Sequence, residues 1–109
     1  MNFSADPEGP ANYDFRRTDD YILSIVNVGA KIVYRLGTSI EHTKTKYFIH
    51  PPEDFNKWSR ICINIIIHYN QGWANGFHYG IKYWEIWNEP YGNPDVESSK
   101  NAMWSGTHE

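Results

Sequence analysis

Cysteine is nearly absent from this 109-residue sequence: Cys62 stands alone, so no intrachain disulfide can form. Cysteine usage therefore gives no sign of an oxidising compartment. Basic clusters are missing as well. Ten Lys and Arg against thirteen Asp and Glu leave a formal net charge of −3, with no cationic run. Nucleic acid and anionic membrane surfaces are accordingly not expected as partners. No apolar run approaches the ~20 residues of a membrane-crossing helix, and Met1-Asn2-Phe3-Ser4 has none of the marks of a secretion signal. The five histidines lack a helical pair or a cysteine partner at ligand spacing, so no metal is called for. Internal repeats and low-complexity tracts are also absent.

What the chain does have is aromatic rings, 17% of its residues, mostly Trp and Tyr. Such rings can stack on sugars, but for any single ring the core role is the more common one. Residues 1–17, with Pro7, Gly9 and Pro10, read as loop. Thr18 is expected to cap a helix with Asp19 and Asp20 in its first turn, Ile22, Ile25 and Val26 on one face, and Gly29 as its left-handed stop. A short β-rich run follows from Lys31 to Leu36, then a polar loop over 37–51. The clearest helix is expected from Pro52 to about Tyr69. Trp58, Ile61, Cys62, Ile65, Ile66 and Tyr69 recur there on one face, leaving Ile63 and Ile67 off it. Helix, strand, helix, strand in that order predicts two parallel strands joined through a helix.

The second strand is the informative one. Tyr83-Trp84-Glu85-Ile86-Trp87-Asn88-Glu89-Pro90 is an aromatic and β-branched run that stops at a proline, which cannot donate to a ladder. It reads as a buried strand with an amide and a carboxyl side by side at its carboxyl end. Among Tyr83, Trp84 and Trp87 the Glu89 carboxyl is expected to be partly desolvated and to hold a proton near neutrality. That suits a group that protonates a leaving oxygen, as glycoside cleavage requires.

This segment resembles the acid/base strand of the clan A glycoside hydrolases, retaining enzymes built on (β/α)8 barrels. Ala30-Lys31-Ile32-Val33-Tyr34-Arg35-Leu36-Gly37 looks like the preceding barrel strand. Tyr47-Phe48-Ile49-His50-Pro51-Pro52, Gly72-Trp73-Ala74-Asn75-Gly76-Phe77 and Met103-Trp104-Ser105-Gly106-Thr107 are similar to family 39, the β-xylosidase and α-L-iduronidase group. The resemblance implies an α/β fold that is a fragment of a TIM (β/α)8 barrel, from the loop after strand 2 to the loop after strand 4. A whole barrel needs about 250 residues. It divides the chain into loop 1–17, helix–strand–helix 18–71, and acid/base strand with following loop 72–109. It implies hydrolysis of β-xyloside-like O-glycosides, with a carbohydrate as substrate, no cofactor, and the rest of the barrel needed to supply a nucleophile that this chain does not carry.

Carried over by that resemblance, Glu89 matches the general acid/base and Asn88 the amide that bonds the sugar 2-hydroxyl. Glu85 is a rival carboxylate, but it lies about 13 Å from Glu89 along an extended strand, beyond the ~5 Å of a retaining pair. Strand alternation sets Tyr83, Glu85 and Trp87 against Trp84, Ile86 and Asn88. Arg35 is a candidate for orienting Glu89, for substrate contact, or for a structural ion pair such as one with Glu85. His42 and His50 are candidates for sugar hydroxyls, and Trp104 for a stacking ring. His68 and His78 read as structural. Two other classes stay open: a carbohydrate-binding half-barrel without catalysis, and a structural half-barrel that self-associates through unpaired strand edges.

Overall fold

A computed structural model of the chain describes residues 3–37, 41, 43, 45–90 and 103–106. Helix α1 (Arg16–Asn27) leads to strand β1 (Val33–Leu36); helix α2 (Phe55–Gln71) then leads to strand β2 (Tyr83–Ile86). The two strands are parallel neighbours in one sheet, as the order of elements predicts. Short 3-10 turns occupy Pro10–Asn12 and Trp73–Asn75. No described helix is long and apolar enough to cross a membrane.

The described residues of Met1–Tyr34 and Asp54–Tyr83 form one compact unit, and those of Arg35–Glu53 and Trp84–Glu109 another. The first unit is organised by α2. Its expected apolar face is the buried one: Cys62 and Tyr69 are buried, and Trp58, Ile61, Ile65 and Ile66 half-buried. Off that face Ile63 is exposed, whereas Ile67 is half-buried. The helix starts three residues after Pro52. Asp54 is still extended at φ −138° and takes the Lys57 N–H at 3.0 Å, so it is the true cap. Gly72 ends the helix at φ 76°.

Aromatic rings fill the core beside α2. Phe15 stacks on His68 at 3.7 Å between ring centres, and Tyr69 meets Phe15, Tyr34 and Phe77. His68 is fully buried with a partner at each ring nitrogen: the Trp73 carbonyl at Nδ1 (2.8 Å) and Asp19 at Nε2 (3.0 Å). The Tyr69 hydroxyl donates to the same Asp19 oxygen at 2.9 Å. Burial is the main cause that drives the Tyr69 hydroxyl well above its ordinary pKa. Asn64 and Tyr13 both donate to the Pro7 carbonyl, tying the first residues to α2. Asn70 grips both the N–H and the carbonyl of Ile81, which fixes the approach to β2.

Helix α1 departs from the expectation at its start. It begins at Arg16, and Phe15, not Thr18, is the capping residue, with no side-chain cap bond. Ring packing of Phe15 on His68 sets the entry, while Asp14 takes the Arg16 N–H and guanidinium. The other end is as expected. Gly29 at φ 73° donates to Val26, and Ala30 to Ile25, the paired bonds of a Schellman stop.

Cys62 is walled off. Burial pushes its thiol up to about 11. At about pH 8 such a thiol is only roughly 0.1% thiolate, against about a quarter for an ordinary cysteine. Alkylation of the folded chain by iodoacetamide is therefore expected to run at least roughly a hundredfold slower than in denaturant. Equal rates in the two conditions would show that Cys62 is not in the core.

Candidate active site

The residues at the carboxyl ends of the strands gather in the second unit. Its buried members are Leu36 at the end of β1, Ile49 in the following loop, Asn88 just past β2, and Met103. Ile49 was hidden in a stretch that reads as polar loop. The loop is closed by Glu41, whose carboxylate takes the backbone N–H groups of Tyr47 and Phe48 at 2.8 to 3.0 Å. Lys46 donates its ammonium to the Glu41 carbonyl.

β2 is not the buried strand its composition suggests. Tyr83, Glu85 and Ile86 are exposed and only Trp84 is half-buried. A parallel sheet normally needs layers on both faces, and the described residues leave this strand largely uncovered. The strand ends at Ile86, and the alternation breaks one residue later. Trp87 takes φ 66° and Glu89 φ 41°, in the region that L-residues rarely occupy. The Trp87 N–H still reaches the Leu36 carbonyl at 2.8 Å, and its indole Nε1–H donates to the Met103 carbonyl at 2.7 Å.

The consequence is a split in depth between neighbours. Asn88 is 3% exposed, and its Nδ2 has no hydrogen-bond partner among the described residues. Glu89 is exposed, so the aromatic enclosure expected of it is not formed by Tyr83, Trp84 and Trp87. The positive φ values that follow Ile86 turn the chain out of the strand, and Trp87 spends its ring on Gly37 and Trp104 instead.

Arg35 is engaged: its Nε donates to Glu85 Oε2 at 2.7 Å, and both side chains are more than a third exposed. The ion-pair alternative for Arg35 is thus the one formed, and Glu85 is taken by it, though at the surface rather than internally. His50 is exposed, with Nδ1 on the Ser105 hydroxyl at 2.8 Å, and the Ser105 N–H donates to the Ile49 carbonyl. Ser105 lies in a stretch that resembles family 39, but the sequence assigns it no role. Trp104 packs edge-on against Trp87 with ring centres 5.1 Å apart. His42 lies outside the described residues. Asn88, Glu89, Arg35, His50 and Trp104 therefore share one unit, whereas His68 and His78 belong to the other.

No known family model matches the sequence, and no curated protein does. Among solved structures, the chain is similar to a glucosidase from Croceicoccus marinus, with a TM-score of 0.73 and 31% identity. The match covers 96% of this chain and 19% of that one, so these residues span about a fifth of the glucosidase they resemble. At that coarse level the likeness supports a small α/β piece of glycosidase type.

Proposed function

We propose that this chain carries the acid/base half of a retaining glycosidase site of the family 39 kind, within a partial (β/α)8 barrel, and acts on β-xylosides or similar small glycosides. The observation that carries the reading is the buried Nδ2 of Asn88, without a partner among the described residues, beside an exposed Glu89 just past β2. A buried donor left without a partner costs stability unless something completes it. A sugar hydroxyl would do so. Chemistry also belongs at the carboxyl ends of parallel strands in such folds.

In this mechanism Glu89 protonates the departing glycosidic oxygen while a carboxylate from outside this chain bonds to the anomeric carbon. Glu89 then takes a proton from the water that hydrolyses the glycosyl ester, which restores both carboxyl groups. Asn88 donates to the sugar 2-hydroxyl, a bond that tightens as oxocarbenium character grows. His50, held by Ser105 at one ring nitrogen, keeps the other for a sugar hydroxyl. Trp104 offers a ring and His42 a further contact, while Arg35, paired with Glu85, would reach a substrate only through its remaining guanidinium N–H groups. The remainder of a barrel is the required partner. The exposed Val33, Tyr83 and Ile86 support that need, since they offer apolar surface for more strands to cover.

The test is a chimera in which these residues replace the matching segment of the similar glucosidase. Hydrolysis of an aryl β-xyloside, followed by proton NMR, should release the β-anomer first. Asn88→Ala should lower kcat by about tenfold to a thousandfold with little change in KM. First release of the α-anomer, or an Asn88→Ala variant as fast as its parent, would sink the reading.

A further inference from the structure

We propose that Trp87 is a positioning residue of this site, seated on Gly37, which sets Asn88 inward and Glu89 outward; the idea rests on the glycosidase reading above. A bulky residue with φ 66° is backbone strain, and such strain persists only where the surroundings over-determine it. Four restraints do so here. The backbone N–H is held by the Leu36 carbonyl, and the indole N–H by the Met103 carbonyl. The ring edge meets Trp104 at an interplanar angle of 84°. The fourth is Gly37: a Cβ there would stand 3.0 Å from Trp87 Cε3 and 3.4 Å from its Cα. Gly37 also has φ 109°, so any side chain at this point is strained as well as crowded.

Regular alternation would by itself set Asn88 and Glu89 on opposite faces, but at φ 66° Trp87 has left the strand, so strand regularity no longer fixes them and the seat of Trp87 must. The turn at Trp87 leaves Asn88 buried with a donor to spare, and Glu89 exposed on the next residue. A donor for a ring hydroxyl and a carboxyl for the glycosidic oxygen need different reach from adjacent positions. Trp87 supplies that difference without touching the sugar. The restraints come from the end of β1 and from residues 103–106, so the aim of the β2 end is set by segments distant in sequence.

Amide exchange in the full 109-residue chain, labelled at asparagine, tests this directly. Asn88→Ala identifies the Asn88 side-chain signals. Trp87→Phe keeps a ring on Gly37 but removes the indole donor, and Gly37→Ala disturbs the seat. In both variants the Asn88 side-chain protons should exchange with water at least roughly tenfold faster than in the parent. The buried Asn64, in the other unit, should keep its rate. A residue that merely supported the fold would speed both amides together. Unchanged Asn88 exchange in Trp87→Phe, or acceleration only in step with Asn64, overturns the proposal, and Trp87→Phe decides alone if Gly37→Ala does not fold. Methyl β-xyloside added to the chimera with the similar glucosidase, which supplies the rest of the site, forms a separate arm. It should shift the Asn88 amide signals; if it shifts none, the glycosidase reading falls while the ligand-free arm still judges Trp87.

Discussion

Glu89→Ala, in the chimera with the similar glucosidase, is expected to lower kcat on a poorly activated aryl β-xyloside by about 10²–10⁴-fold. That is the usual scale of a positioned acid and base. The loss should shrink as the leaving group improves. A dinitrophenolate departs without a proton, so the glycosyl-enzyme still forms and then waits for a base that is gone. Azide needs no base. Adding it should restore turnover and yield the β-glycosyl azide, because two displacements return the original configuration. The same loss with every leaving group and no azide adduct would remove Glu89 from the acid/base role. The 109-residue chain alone is expected to be inactive, since removing a nucleophile costs several orders of magnitude in rate. Its nearest carboxylate in sequence, Glu85, is held by Arg35 at 2.7 Å. Glu89 is exposed in this chain, so on the proposed reading the apolar walls around the acid would come from bound substrate and from residues outside this chain.

Local signals account for much of the architecture. The helical period through Trp58, Cys62, Ile65 and Tyr69 marks the buried face of α2, and Gly29 and Gly72 mark where the helices stop. Those features depend on neighbours within a turn or two. Apart from the start of α2, which the local cap Asp54 sets, the departures from expectation involve partners far along the chain. Asp19 does lie in the first turn of α1, as expected, but it is also bound by His68, forty-nine residues away. Phe15 starts α1 because its ring lies on that same histidine, which no capping rule would reveal. At the site, Asn88 and Glu89 were legible as a pair, but not their depths. The turn at Trp87 has no local cause. It depends on Gly37 and Met103, brought in by tertiary structure.

A second large effect is expected at Gly76, far from the candidate chemistry. The segment after α2 folds back on the helix end. Phe77 N–H donates to the His68 carbonyl at 2.7 Å, Gly72 N–H to the Phe77 carbonyl at 3.0 Å, and Gly76 N–H to the Trp73 carbonyl at 3.0 Å. Ala74 and Asn75 take φ 54° and 58° to make the turn. A Cβ on Gly76 would collide with the His68 carbonyl oxygen and lie 2.6 Å from Nδ1 of the same residue. Neither atom can step aside. The carbonyl belongs to the α2 backbone, and the ring is fully buried between Phe15 and its two hydrogen-bond partners. Overpacking of this kind costs about 1–3 kcal/mol, and each backbone bond pulled out of line adds roughly 1 kcal/mol. Gly76→Ala should thus lose about 2–4 kcal/mol and lower Tm by at least about 8 °C. Gly29→Ala is the control. Its φ is 73°, but nothing lies within 4 Å of the added methyl, so only the conformational cost of about 1 kcal/mol should appear. Thermal melts of the two variants separate the causes: a similar loss in both would mean that the His68 backbone yields, and that the fold-back loop does not hold the end of α2.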